Sequence, residues 1–212
     1  NDMNSFPEIK KLEKIVVNDG STENSLVPEI RAHPELILLE HKTNQGKGAA
    51  IKTAINHVVS LKASPDYILT VDSGGQHRGT DILSVIRSIE TNGEGIHIGS
   101  RKLNKSKTPL RSFLGNFISR KIFNFVYNLN IHDTQSGLRA YPKSSYRALM
   151  VLKSSRYEFE MEAIIALTKL KIKTIETPIA TVYFDKNRSS HFRPLVDSAR
   201  VIWVIMSSRF KK

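Results

Sequence analysis

Four short apolar runs, Ile15-Val16-Val17, Leu36-Ile37-Leu38-Leu39, Tyr67-Ile68-Leu69-Thr70-Val71 and Gly95-Ile96-His97-Ile98, each stop at polar or glycine-rich residues, and helical patterns lie between them. Ala50, Ile51, Ala54, Ile55 and Val58 recur at the spacing of one helix face, as do Ile82, Val85, Ile86 and Ile89. Strands alternating with helices predict an α/β fold, a mainly parallel sheet flanked by helices. In such a sheet ligands bind outside the carboxyl ends of the strands, so the residues that follow each run are the candidates for chemistry.

The second half reads as a helix from about Arg111 to Tyr127, a loop from Asn130 to Gly137, a helix through Glu160 to Leu170 and an extended stretch near Ile172 to Tyr183. A last helix, residues 194–210, starts at Pro194, and Leu195, Ala199, Ile202, Trp203 and Met206 are expected to form its apolar side. No repeat or long linker divides the chain. Its 212 residues, 40% of them hydrophobic, suffice for one core, so residues 1–212 are read as one domain.

The chain has no cysteine, which excludes a disulfide framework, a thiolate metal site and a thiol nucleophile. Lys and Arg exceed Asp and Glu by 32 − 20 = 12, which favours anionic partners: nucleic acid, nucleoside diphosphates or an acidic membrane leaflet. The basic residues are scattered and aromatics rarely interleave with them, so no nucleic-acid partner is expected. The longest apolar run, Val201 to Met206, is too short to cross a bilayer, but Arg200, Arg209, Lys211 and Lys212 flank it, so that end is expected to touch a membrane surface.

Four segments carry candidate chemistry. Asp19-Gly20-Ser21-Thr22 ends the first strand with a carboxylate able to hold ribose or base donors; the alternative is an ordinary helix-capping turn. Asn44-Gln45-Gly46-Lys47-Gly48 opens a helix with a lysine placed to neutralise phosphate, without P-loop spacing; the alternative is a plain helix start. Asp72-Ser73-Gly74-Gly75-Gln76-His77 ends the third strand with oxygen and nitrogen donors of the kind that hold Mg²⁺ or Mn²⁺ with a diphosphate, or forms a turn capped by a lone Asp. Asp133-Thr134-Gln135-Ser136-Gly137, preceded by Ile131-His132 and followed by Leu138-Arg139, supplies either a base and sugar hydrogen bonds or a capping loop.

Taken in order, and with Gly99-Ser100-Arg101 and Ser189-Ser190-His191-Phe192-Arg193-Pro194 added, these segments resemble glycosyltransferase family 2 over nearly the whole chain. Gly99 to Arg101, Asp133 to Arg139 and Arg188 to Pro194 are most similar to its polyprenyl-phosphate branch, that of dolichyl-phosphate mannose synthase-like enzymes. The resemblance implies a GT-A fold and an inverting, metal-dependent transfer of sugar from a GDP- or UDP-sugar to a polyprenyl (dolichyl or undecaprenyl) phosphate. It implies a membrane-associated enzyme on the cytoplasmic face, peripheral or anchored by segments outside this chain.

The same resemblance places Asp19, Gly20, Ser21, Lys47, Asp72 and Ser73 on the nucleotide sugar, and Asp72 and Gln76 on Mg²⁺ or Mn²⁺. Arg101, Arg111, Arg188 and Arg193 would hold acceptor phosphate, because a guanidinium presents paired donors to phosphate oxygens. Asp133 would face the acceptor as base or orienting group, completing a catalytic set with Asp72 and Arg101. Two departures stand out. The family's Asp-x-Asp-x-Gln reads Asp72-Ser73-Gly74-Gly75-Gln76, so the second acidic ligand is a glycine and affinity for the ion should fall. The family's first strand and its Pro-x-Tyr-Asn-like turn would precede Asn1, so the sheet is expected to lack that strand and the chain to be abbreviated.

Two alternatives stay open: transfer to a sugar hydroxyl of a surface polysaccharide, with Asp133 as obligatory base, and a degenerate, non-catalytic nucleotide-sugar-binding module. His33, His41, His57, His97 and His191 lack metal-ligand spacing and are read as surface or capping histidines. Glu158, Glu160 and Glu162 suit a helix start, and no catalytic role is assigned to them.

Overall fold

The computed structural model describes residues 5–21, 26–101, 110–180 and 194–210. In chain order the elements are α1 (Pro7–Lys10), β1 (Lys14–Asn18), α2 (Leu26–Arg31), β2 (Leu36–Glu40), α3 (Lys47–Ser60), β3 (Tyr67–Thr70), α4 (Gly79–Asn92) and β4 (Ile96–Arg101). There follow α5 (Leu110–Tyr127), β5 (Arg139–Pro142), a single 3-10 turn running into α6 (Tyr146–Met150), α7 (Phe159–Lys169), β6 (Thr174–Ile179) and α8 (Pro194–Phe210). The four apolar runs became β1 to β4.

The described strands fall into two sheets. β1 and β2 pair in parallel with Val16 opposite Leu38, while β3, β5, β4 and β6 form a four-stranded sheet in that order. β4 and β6 are parallel, and β5 is antiparallel to both of its neighbours, β3 and β4. β3, β4 and β6 therefore point the same way and β5 alone is reversed. This reversal positions the site: the start of β5 at Arg139 lies opposite Thr70 and Ile98, so the loop from Asp133 to Leu138 reaches the edge where β3 and β4 end. β5 was not foreseen, because Arg-Ala-Tyr-Pro offers neither an apolar run nor a clean alternation.

Period-two geometry sends successive side chains of the sheet to opposite faces. Ile96, Ile98 and Tyr141 meet Ile55 and Val58 of α3, Phe123 of α5, Leu149 of α6, Ile164 and Leu167 of α7, and Val201 and Ile205 of α8. On the other face Ala140 packs with Ile82 and Val85 of α4, Ile9 of α1 and Leu138. Each fully buried aliphatic side chain contributes on the order of 1.5–3 kcal/mol relative to exposure, so helices on both faces are what keep this sheet apolar.

The last helix orients differently from expectation. Asp197, Val201 and Ile205 of α8 face inward, whereas Trp203 and Met206, expected with Ala199 on one apolar side, are exposed. The helix is apolar on two sides, one packed into the core and one open.

Candidate functional site

The site begins at the turn before α3. Gly46 adopts φ 103°, and a side chain there would strike Ser155 and Arg156, so the residue before Lys47 must be glycine. Asp19, just past the end of β1, accepts the Gln45 and Gly46 amides at 2.9 and 2.7 Å and contacts His41 Nδ1 at 2.7 Å. Burial disfavours its charge, but the Gln45 amide, His41 and the Gly46 amide prevail and hold its pKa below the usual carboxylate value. His41 passes the constraint on, its Nε2 lying 2.8 Å from Thr53 Oγ1 on α3. Next to Asp19, Gly20 has φ 68° and lies against the Thr43 backbone, while the Ser21 amide donates to Asn18 Oδ1. The Asp19 segment thus fastens β1 to the start of α3.

Lys47, the first residue of α3, projects its ammonium between two carboxylates, with Nζ 2.6 Å from Asp72 Oδ1 and 2.8 Å from Glu160 Oε1. Burial disfavours the ammonium, yet Glu160 and Asp72 more than compensate and raise its pKa above that of an ordinary lysine. Burial likewise opposes the Asp72 charge, but Lys47, with smaller help from His77 and Arg101, keeps the carboxyl below its ordinary range. The Lys47 and Asp72 side chains remain 22% and 28% exposed, so a ligand can reach the pair. Gly137 closes the other side, since a Cβ there would fall on the Asp72 carboxylate.

A second charged pair lies at the end of β4. Arg101 donates through Nε at 2.6 Å and through a terminal guanidinium nitrogen at 3.1 Å to the two oxygens of Asp133, a fork-to-fork geometry. Asp133 is fully buried and also accepts the Arg101 and Gln135 amides. Burial opposes its ionisation, but Arg101 and these amides depress its pKa. Glu176 of β6 accepts the amides of both His132 and Asp133, and fully buried Arg139 donates to the carbonyls of Thr134, Ser136 and Glu160, so the loop carrying Asp133 is held from two strands.

The structure therefore brings Lys47, Asp72 and Gly137 together, sets Arg101 on Asp133 within electrostatic reach of Asp72, and joins the Asp19 turn to them through Gly46. Ser73 is exposed on the turn after β3. The Arg111 side chain is not described, and Arg188 and Arg193, like His191, lie outside the described residues. One of the histidines read as surface or capping residues is a core residue instead: His97 is fully buried between Ser88 and the Gly93 carbonyl, while His41 is part-buried with its ring between Asp19 and Thr53. Glu160 is a member of the site's framework that sequence reasoning missed, and Arg139, named there as the end of the fourth candidate segment, was given no role of its own. Nothing in the apolar pattern around Glu160 separates it from Glu158 and Glu162; only the meeting of α7 with α3 does.

Among the described residues no group of three His, Asp or Glu side chains could hold a metal ion. Asp72 meets Lys47 through Oδ1, Gly74 has no side-chain oxygen, and Gln76 Oε1 and His77 Nδ1 are buried without a hydrogen-bond partner. These residues do not by themselves form a site for Mg²⁺ or Mn²⁺, which need several oxygens and usually one or two available carboxylates.

Residues 4–150 match the family model described as glycosyl transferase family 2. The chain is 32% identical to the UDP-N-acetylglucosamine–dolichyl-phosphate N-acetylglucosaminyltransferase of Methanococcus voltae, covering 80% of this chain and 74% of that protein. It is 28% identical to the dolichyl-phosphate beta-glucosyltransferase of Dictyostelium discoideum over 90% of this chain and 61% of that protein. In fold it is similar to glucosyl-3-phosphoglycerate synthase of Mycobacterium tuberculosis, solved with Mn²⁺, UDP and phosphoglyceric acid, at a TM-score of 0.70 and 14% identity over 93% of this chain and 68% of that one.

Proposed function

Because the chain belongs to glycosyl transferase family 2, has the GT-A fold and is a glycosyltransferase, we propose that it moves a sugar from a GDP- or UDP-sugar onto a polyprenyl phosphate with inversion. One observation carries the choice of acceptor: both oxygens of the candidate base are already engaged by the Arg101 and Gln135 donors. Asp133 is buried, forked onto Arg101 and held below the carboxylate range, and Asp72 is ion-paired and depressed as well. A sugar hydroxyl needs such a base, whereas a phosphate monoester arrives largely ionised near neutral pH. The named substrates of the Methanococcus and Dictyostelium relatives support the same reading.

In this mechanism a non-bridging oxygen of the acceptor phosphate forms the bond to the anomeric carbon from the face opposite the leaving group. The anomeric C–O bond breaks, and its electron pair departs with the nucleoside diphosphate. No proton has to move. Asp72 and Lys47 lie at the donor phosphates, Asp19 orders the turn beside the nucleoside, and Asp133 positions Arg101, which with Arg111, Arg188 and Arg193 meets acceptor phosphate. The acceptor's lipid puts the enzyme at a membrane, in our reading its cytoplasmic face, with α8 against the surface.

The test is transfer of labelled sugar from GDP- and UDP-sugars to three acceptors: a short polyprenyl phosphate, the corresponding polyprenol, and an oligosaccharide. Transfer to the phosphate alone is expected, at a rate that stays level from about pH 6.5 to 8, where a phosphate monoester with second pKa near 6 is ionised. Transfer to the oligosaccharide alone would overturn the reading in favour of a hydroxyl acceptor.

A further inference from the structure

Glu176 is a carboxylate of β6 that faces the protein rather than water, its side chain being 17% exposed. Its Oε1 accepts the main-chain amides of His132 and Asp133 at 2.9 and 3.0 Å, and its Oε2 lies 2.8 Å from His132 Nδ1. Amides bonded to an ionised acceptor are held more firmly than amides bonded to a neutral carbonyl. The same segment is braced from α5, where Asn124 exchanges two hydrogen bonds with the Ile131 backbone and Arg120 donates to the His132 carbonyl. Those braces end at His132. The amide of Asp133 itself goes to Glu176.

Glu176 stands opposite Ile98, three residues before Arg101 on β4, about 10 Å along the strand. At that distance its route to Arg101 is the loop: Glu176 fixes the Asp133 main chain, and the Asp133 carboxylate forks onto Arg101. A guanidinium presents its donors in one plane, so a change in the setting of Asp133 turns that plane. The Arg101 side chain is 24% exposed, and an oxygen of acceptor phosphate can reach it there.

We infer that Glu176 is a positioning residue for acceptor binding: by holding the Asp133 amide it sets, through the Asp133–Arg101 fork, the orientation in which Arg101 meets the acceptor phosphate. The inference rests on the acceptor reading above and deepens it. Lys47, held by Asp72 and Glu160, takes no part in this relay, so nucleotide-sugar binding is independent of Glu176.

Steady-state kinetics on the full chain, with polyprenyl phosphate and nucleotide sugar varied in turn, separate the reach of the carboxylate from its charge. Glu176→Gln keeps an oxygen for the two amides and should leave the KM for polyprenyl phosphate within about twofold. Glu176→Asp keeps the charge but withdraws it by one methylene. Like Glu176→Ala, it should raise that KM by about tenfold, with kcat and the KM for nucleotide sugar within about twofold, as when ground-state and transition-state binding are lost alike. In an Arg101→Lys background, which keeps a cation but not the fork, Glu176→Ala should add less than about twofold, because the two residues act through one contact. The reverse order, with Glu176→Asp unchanged and Glu176→Gln altered, would overturn the inference in favour of a charge effect. Equal rises in both KM values, the mark of a merely structural carboxylate, would overturn it too, and both results leave the acceptor reading standing. Transfer by the unaltered chain to an oligosaccharide and not to polyprenyl phosphate would overturn both. The Asp and Gln variants decide the matter even if Glu176→Ala does not fold.

Discussion

Gly137 is a glycine because the Asp72 carboxylate occupies the volume of any side chain at that position. Its backbone does not require a positive φ, so the constraint is steric alone. Gly137→Ala should push Asp72 away from Lys47, weakening nucleoside-diphosphate binding by about tenfold and costing about 1–3 kcal/mol of stability, as overpacking does. Calorimetric titration and urea unfolding would measure the two effects, and unchanged nucleotide affinity would show that Asp72 has no part in the donor site. Asp72 was legible in the sequence as a polar residue at a strand end, Lys47 as one opening a helix and Asp133 as one in a polar loop, but their states were not. Asp133 was read as base or orienting group, and only its forked contact with Arg101 separates the two. Arg139 was legible only as the end of a polar segment: that its guanidinium is buried and satisfied by three carbonyls is invisible until the chain segments carrying them converge.

At the scale of elements, β4 and α4 are locked by His97. Its Nε2 donates to the Gly93 carbonyl at 3.0 Å, and its Nδ1 lies 2.9 Å from Ser88 Oγ, from which the neutral ring accepts. Burial lowers its pKa beneath the ordinary 6.5, with the Gly93 bond opposing in part, and burial lowers that of His77 too. Both groups bind protons more readily in the unfolded chain, so stability is full above about pH 6.5 and falls as pH drops through the folded-state pKa. The melting temperature should therefore decline between about pH 7 and 5, and His97→Gln should flatten part of that decline; equal slopes in the two proteins would count against it. The elements that sequence periodicity revealed were those with uniform apolar runs or a clear helical stripe. β5 escaped because each of its four residues answers to a different neighbour: Arg139 to α7, Ala140 to the α4 face, Tyr141 to the α3 face, and Pro142 to Tyr67 of β3.

For the molecule as a whole, no helix among the described residues is long and apolar enough to cross a membrane, yet α8 exposes Val196, Trp203 and Met206 beside Arg200 and Arg209. Apolar residues bordered by arginines suit the interface of an anionic bilayer, where an indole ring is favoured. Trp203 is the single tryptophan of the chain, so its emission reports on this surface alone. Vesicles containing phosphatidylserine should shift that emission to the blue and sediment with the protein, and added salt should weaken both effects through screening. Unchanged emission with the protein left in the supernatant would remove α8 from the membrane reading. The sequence by itself determined the α/β class, the order of its first four strands and the family, because periodicity and motif spacing are properties of local chain segments. Only the tertiary structure decided that β5 runs backwards and delivers Asp133 to Arg101, that Glu160 joins Lys47 and Asp72, and which side of α8 stays open. Those outcomes depend on which distant segments share a strand edge or a helix interface, and no local pattern carries that information.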